Sequence, residues 1–124
     1  MPVLRAPAAP THDLGHARFT SLATPTRGST DNSVWKVEIL PGAPATPHSL
    51  TREEVFVVIE GTASVRIAGS ADQAEAGDAI VVPADLEFEL ANAGPGPLRL
   101  VCCLPVGGQG RYADGSTFTP PWAE

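Results

Sequence analysis

Short runs of β-branched and aromatic residues recur along this chain, and glycine or proline residues separate them. In the clearest run, residues 34–40, the apolar side chains Trp35, Val37 and Ile39 alternate with charged ones, which is the period of a half-buried strand. Such runs, spaced by turn signals about every eight to twelve residues and without helical periodicity, predict an all-β antiparallel barrel or sandwich. The predicted strands are residues 16–22, 34–40, 54–60, 62–68, 78–82, 87–92 and 98–104, with a turn at 69–72.

The run at residues 55–59 is apolar on both of its faces. A strand of this kind is covered on both sides. We expect the barrel interior to cover one face, and a second subunit or a second sheet to cover the other.

The chain length and turn content favour one compact β domain. The chain has 124 residues, which allows about one domain. Glycine and proline together account for 12 + 13 = 25 residues, which suits many tight turns and disfavours a helical bundle. We divide the chain into an N-terminal arm with an edge strand at 1–33, a β-barrel at 34–104, and a C-terminal tail at 105–124 that packs on the barrel.

The charge balance excludes several classes of partner. Eight basic and 14 acidic residues give a net charge of −6, and no basic cluster is present. We therefore expect no binding to nucleic acid or to an anionic membrane. The N-terminus lacks the apolar stretch of a signal peptide. Cys102 and Cys103 are adjacent, so a disulfide between them would be strained, and reduced thiols in a cytoplasmic protein are the simpler interpretation.

Two spaced motifs are present in the middle of the chain. The first has the form G-x5-H-x-H-x3-E-x6-G and is met by Gly42, His48, Glu54 and Gly61, with Leu50 in place of the second histidine. This spacing resembles the first signature motif of the cupin family, and a second motif downstream resembles that family's second signature. The resemblance covers about residues 34–104 and implies a cupin-type antiparallel β-barrel, or jelly-roll sandwich, in a small single-domain protein.

The second motif has the form G-x5-P-x-G-x2-H-x3-N. It is met by Gly77, Pro83 and Asn92, while Asp85 replaces its glycine and Phe88 replaces its histidine. Two alternatives follow at this point. In one, Phe88 faces the barrel interior and its neighbours face outward. In the other, a register slip at Asp85 reverses the two faces.

In the family, the three histidines and the glutamate of these motifs form a metal site. This chain keeps only His48 and Glu54, and a catalytic metal site usually needs three protein ligands. We therefore expect no metal cofactor. The alternative is a divalent ion (Fe, Mn, Zn or Ni) bound by His48, Glu54 and a third ligand, for which an inward Cys102 or Cys103 is a candidate.

The resemblance implies one inward face that carries the candidate site. His48 and Glu54 are the candidate catalytic residues, because an imidazole and a carboxylate in an apolar pocket are suited to proton transfer. The predicted pocket wall for a small-molecule substrate consists of Leu50, Phe56, Val58 and Phe88.

Several other side chains have two open interpretations. Arg66 and Arg99 lie in apolar strands and face either solvent or a substrate carboxylate. Tyr112 is either an acid or a hydrogen-bonding residue of the tail. Trp122 is either a packing residue or a cover for the pocket mouth. His12, like the nearby His16, is expected at the surface.

Three functions remain open from the sequence. The first is a metal-independent acid–base isomerase, cyclase or lyase that acts on a small organic molecule. The second is a metal-dependent oxygenase with a rebuilt site. The third is a non-catalytic small-molecule-binding protein. The resemblance and the doubly apolar run at 55–59 also predict a homodimer.

Overall fold

The computed structural model describes residues 2–124, which form antiparallel strands and two short 3₁₀ helices, Pro25–Arg27 and Pro121–Ala123. The strands are β1 (His12–Asp13), β2 (Ala17–Ala23), β3 (Asn32–Ile39), β4 (Ser49–Leu50), β5 (Glu54–Glu60), β6 (Thr62–Ile67), β7 (Ser70–Glu75), β8 (Ala79–Val82), β9 (Phe88–Asn92), β10 (Leu98–Pro105), β11 (Gly110–Arg111) and β12 (Thr117–Phe118). The prediction of an all-β antiparallel fold is confirmed. No helix within residues 2–124 is long and apolar enough to cross a membrane.

The strands form three sheets around one core. A large sheet has the order β1-β2-β3-β10-β5-β8, and two smaller sheets have the orders β7-β6-β9 and β12-β11-β4. Strands distant in sequence, such as β3 and β10, are neighbours, as expected for a jelly roll. Apolar residues from all three sheets belong to one buried cluster, so the core lies between the sheets.

Alternation along the two central strands determines which side chains face inward. On β5, Glu54, Phe56 and Val58 are buried, whereas the residues between them are partly exposed. On β10, Cys102 is buried and pairs with Phe56 on one side and with Trp35 of β3 on the other. The centre of the large sheet therefore presents a row of sulfur and aromatic side chains to the interior.

Two motif residues hold a turn of the barrel. A Cβ atom on Gly61 would lie 2.6 Å from the Pro97 carbonyl oxygen, and the φ angle of Gly61 is +88°. Asn92 donates from its amide to the carbonyls of Ile39 (2.9 Å) and Gly96 (2.8 Å). These residues have structural roles, because they hold the loop before β10 against the ends of β3 and β5.

The turn at Asp85 keeps the shape that the motif glycine would give. Asp85 has a φ angle of +67°, a left-handed conformation that aspartate tolerates better than most residues. Phe88 consequently faces the interior and is 4 % exposed, while Glu87 lies outside. The alternative of a register slip is therefore wrong.

The arm and the β7-β6-β9 sheet differ in detail from the predicted pattern. The predicted edge strand at 16–22 corresponds to β2, but the two-residue strand β1 pairs outside it. The sequence predicts only a turn at 69–72 in the region of β7 (70–75). The β7 sequence SADQAE buries only Ala74, so the apolar alternation that identifies a strand is missing.

The C-terminal tail crosses one end of the large sheet. Two buried serines on the inner face of that sheet donate to tail carbonyls: Ser33 Oγ to Ala123 O at 2.6 Å, and Ser21 Oγ to Trp122 O at 2.7 Å. A buried hydroxyl needs a partner, so these bonds also satisfy polar groups inside the barrel. They place the tail where it completes a cavity.

Candidate functional site

The interior contains a cavity of about 390 Å³ between the large sheet, β4, β9 and the tail. Its lining includes five of the residues predicted for the site, which are His48, Leu50, Glu54, Phe56 and Phe88. The proposed catalytic pair and most of the proposed apolar wall therefore share one space.

Val58 is not part of this lining, and the prediction for this residue needs correction. It is completely buried in the core and pairs with Leu100 on β10. The alternation of a strand determines the face on which a side chain lies, but not how far a cavity extends along that face. At Val58 the interior is filled by packed core side chains, so the cavity does not reach this residue.

Glu54 is a buried carboxyl without a neutralising partner. It is the first residue of β5 and is only 5 % exposed. Among residues 2–124, no side-chain hydrogen bond or ion pair involves Glu54, and its side chain lines the cavity. Burial in apolar surroundings disfavours the charged form. It raises the pKa of Glu54 from 4.5 to about 8.

His48 is half-buried and is held by both its backbone and its ring. Its backbone exchanges two hydrogen bonds with Phe88, at 3.1 and 2.8 Å. Its Nδ1 lies 2.8 Å from the carbonyl oxygen of Thr46, which can only accept. Nδ1 must therefore carry a proton, and Nε2 is the free acceptor of the neutral ring. The ring packs on Phe88, with centroids 4.5 Å apart.

The two cysteines face opposite sides of the large sheet. Cys102 lines the cavity and is buried, whereas Cys103 lies on the other face. Burial raises the pKa of the Cys102 thiol well above its usual range, and the nearby Glu54 contributes in the same direction. The thiol is therefore protonated and unsuited to act as a nucleophile.

Neither arginine of interest points into the cavity. Arg66 is exposed on β6, opposite Glu89. Arg99 lies on the outer face of the large sheet, where its guanidinium binds Glu38 at 2.8 Å and Glu60 at 2.9 Å. These two side chains cannot bind a substrate carboxylate inside the barrel.

The donor atoms do not form a metal centre. Leu50 and Phe88 occupy the two motif positions where the family has histidines, and both present hydrocarbon to the cavity. His48, Glu54 and Cys102 all line the cavity, but no three His, Cys, Asp or Glu side chains within residues 2–124 are arranged to hold a metal ion. The donors present do not fit the family's metal.

The lining also includes residues of the tail and arm that were not predicted as part of the site wall, among them Tyr112, Phe118 and His16. Trp122, for which a cover of the pocket mouth was one of two open interpretations, lines the cavity as well. Trp122 stacks on Phe19 of β2, with centroids 3.6 Å apart and planes inclined by 5°. Tyr112 stacks on Phe118 at 4.6 Å and is 47 % exposed. His16 also lines the cavity while remaining exposed. The available signal was the spacing of aromatics in a tail otherwise rich in glycine and proline.

The fold of this chain is shared with solved structures of diverse proteins. KdgF from Halomonas sp. has a TM-score of 0.65 and 23% identity, covering 83% of this chain and 87% of that one. An RmlC-like cupin from Shewanella frigidimarina has a TM-score of 0.65 and 19% identity, covering 82% and 83%. The vicilin from Solanum melongena has a TM-score of 0.70 and 20% identity, covering 85% of this chain and 33% of that one.

No curated protein matches the sequence. The Cupin domain family matches at residues 35–104, which are 70 of the 124 residues. That segment contains both motifs and strands β3 to β10 almost completely. With the jelly-roll topology, this match confirms the resemblance, and the chain belongs to the cupin family.

Proposed function

We propose that this cupin is a metal-independent acid–base enzyme, an isomerase or lyase that acts on a small organic molecule. The observation that supports it is the Glu54 carboxyl, which lines an apolar cavity and makes no hydrogen bond or ion pair in the described chain. A structural carboxylate would be paired or solvated, because an isolated buried charge is costly. An unpaired one is free to interact with a ligand.

Glu54 acts as the acid in this proposal. With a pKa of about 8, roughly nine of ten molecules carry the protonated carboxyl at pH 7. A buried, neutral carboxylic acid donates a hydrogen bond, or the proton itself, to a carbonyl oxygen of the substrate. The negative charge that develops on that oxygen is thereby stabilised in a cavity of low polarity.

His48 acts as the base. Its Nδ1 proton is held by the Thr46 carbonyl, so Nε2 accepts a proton from the carbon beside the substrate carbonyl. The C–H electron pair then forms a C=C bond, and the carbonyl electron pair takes the Glu54 proton, giving an enol. In a β,γ-unsaturated ketone this enol is a dienol. The enol O–H proton returns to Glu54, its electron pair re-forms C=O, the double bonds shift, and the γ-carbon takes the proton from His48, which completes the isomerisation. The protein regains its starting protonation state.

Proton exchange provides a test that does not require the natural substrate. In D₂O, the wild-type protein should exchange the α-protons of at least one ketone from a panel of cyclohexanone, 1-tetralone and pyruvate, followed by proton NMR. His48→Gln should slow this exchange by about 100-fold, the usual contribution of a general base. His12→Gln is the matched control, because His12 lies on β1 and does not line the cavity. Exchange that is equally fast in His48→Gln would refute the assigned base.

A non-catalytic binding protein is the second candidate. It is favoured by the lining, which is mostly hydrocarbon and aromatic with few polar groups, as in ligand-binding pockets generally. A ligand that binds in the cavity without proton exchange in any panel member would support this alternative and reject catalysis.

We also propose that the protein is a homodimer and is located in the cytoplasm. On the outer face of the large sheet, Ile59 of β5 is 55 % exposed and Val81 of the neighbouring edge strand β8 is 50 % exposed, so two large apolar side chains lie side by side at the surface. Burial of this apolar face against a second copy accounts for the exposure, and the two free thiols suit a reducing compartment. Light scattering at micromolar concentration should give twice the chain mass. Ile59→Glu should give a monomer, and a monomeric wild-type protein would refute the proposal.

A further inference from the structure

Every aromatic residue of this chain lines the same cavity. The sequence contains four phenylalanines, two tryptophans and one tyrosine. These seven rings are Phe19, Trp35, Phe56, Phe88, Tyr112, Phe118 and Trp122. They come from four strands and the tail, so no single local motif explains their convergence, and Tyr112 and Phe118 lie outside the buried core cluster. Aromatic faces favour stacked or edge-to-face contact with other flat rings.

Cationic side chains are absent from this lining within the described part of the chain. The three cationic residues nearest in the large sheet, Arg18, Lys36 and Arg99, point to the opposite face, where they border a separate groove of about 590 Å³. A carboxylate or phosphate normally needs an arginine or lysine when it is desolvated. The two lining imidazoles, His16 and His48, are at exposed or half-buried positions. The buried part of the cavity therefore suits an uncharged ligand.

The volume limits the size of that ligand. At about 30 Å³ for each water molecule, 390 Å³ corresponds to about 13 water volumes. A molecule of roughly a dozen non-hydrogen atoms, the size of two fused six-membered rings, would fill this space. Glu54 adds one polar requirement, because its buried carboxyl needs an oxygen acceptor on the ligand to replace its lost hydration.

We propose that the ligand class of this cavity is an uncharged, flat molecule of about two rings that bears a carbonyl oxygen bound by the Glu54 carboxyl. This inference deepens the proposed function and rests on the same cavity. It names the substrate class and excludes anionic sugars, organic acids and phosphorylated metabolites.

Intrinsic fluorescence provides the readout, because Trp35 and Trp122 are the only tryptophans in the sequence and both line the cavity. The full-length protein is titrated with three probes of similar size: 1-tetralone, 1-naphthoate and naphthalene. We expect saturable quenching by 1-tetralone and by naphthalene. Binding of 1-naphthoate should be at least about tenfold weaker, because its carboxylate would be desolvated without a partner.

Two variants isolate the carbonyl contact. Glu54→Gln keeps a donor and should retain 1-tetralone binding within about threefold, whereas Glu54→Leu should weaken it by about three- to tenfold. Naphthalene has no acceptor for Glu54, so its binding should be at least as tight in both variants as in the wild type, which shows that the cavity is still formed. Binding of 1-tetralone that is unaffected by Glu54→Leu would overturn the carbonyl contact.

The ligand class as a whole is tested by the wild-type titration. Naphthoate binding as tight as that of 1-tetralone would overturn the inference, as would the absence of binding by all three probes up to about 1 mM. These outcomes are separate from the test of catalysis. A ketone that binds without proton exchange refutes only the enzymatic function, and exchange with pyruvate alone refutes only the ligand class.

Discussion

Replacing Glu54 by glutamine should make the protein more stable at neutral and alkaline pH, and this effect should disappear in acid. Folding raises the pKa of the carboxyl from 4.5 to about 8, so the folded state holds a proton that the unfolded state releases between these values. Wild-type stability contributed by this group is fully present below about pH 4.5. It falls as the pH rises and is lost above about pH 8.

The size of the effect follows from the width of that window. Each unit of difference between the folded and unfolded pKa changes the free energy of unfolding by about 1.4 kcal/mol. The difference between 4.5 and about 8 is about 3.5 units, which corresponds to about 5 kcal/mol, with an uncertainty of about 1–2 kcal/mol. Glutamine does not titrate. The free energy of unfolding of Glu54→Gln relative to wild type should therefore increase by about this amount between pH 4 and pH 9.

Urea denaturation of both proteins at several pH values measures this difference. All other titrating groups are common to the two proteins and cancel, and any constant effect of the amide shifts the whole curve without changing its slope. Glu53→Gln, which removes the exposed carboxyl one position earlier, controls for the change in net charge. A difference that stays flat from pH 4 to pH 9 would refute the claim that Glu54 is buried and unpaired.

Three further substitutions test other parts of the structure. Ser33→Ala removes the donor to a buried tail carbonyl and should lower stability by about 1–3 kcal/mol in thermal unfolding. Gly61→Ala places a methyl group 2.6 Å from the Pro97 carbonyl at positive φ and should cost about 1–3 kcal/mol, whereas an unchanged melting temperature would contradict the close approach. The double change Leu50→His and Phe88→His restores the two missing histidines and should bind one divalent ion per chain by elemental analysis after dialysis, and a protein that remains metal-free would show that the cavity geometry has also diverged.

The parts of the fold that sequence predicts well are those where local pattern and burial agree. β5 was predicted with its observed bounds, because alternation along 54–60 and the turn at Gly61 are both local signals. β7 was missed because an edge strand with one buried alanine lacks the apolar alternation on which the prediction depends. Strand pairs distant in sequence, such as β3 with β10, depend on tertiary packing and have no local signature.

The same distinction between local signals and distant contacts applies to the candidate site. Motif spacing identified His48 and Glu54 as candidate site residues, and both line the cavity. The wrong assignment of Val58 and the undecided role of Trp122 have one cause. The limits of a cavity are determined by contacts between residues far apart in sequence, such as Trp122 on Phe19. Spacing within one strand does not contain that information.

The tail aromatics have a consequence for how this protein can change in evolution or in the laboratory. Tyr112, Phe118 and Trp122 lie outside the segment that matches the family, residues 35–104, whereas His48 and Glu54 lie inside it. The proposed proton-transfer groups and a large part of the cavity shape are therefore encoded in separable stretches of the gene. Exchange of the tail alone should alter which molecules fit while leaving His48 and Glu54 in place, so specificity can diversify without rebuilding the barrel.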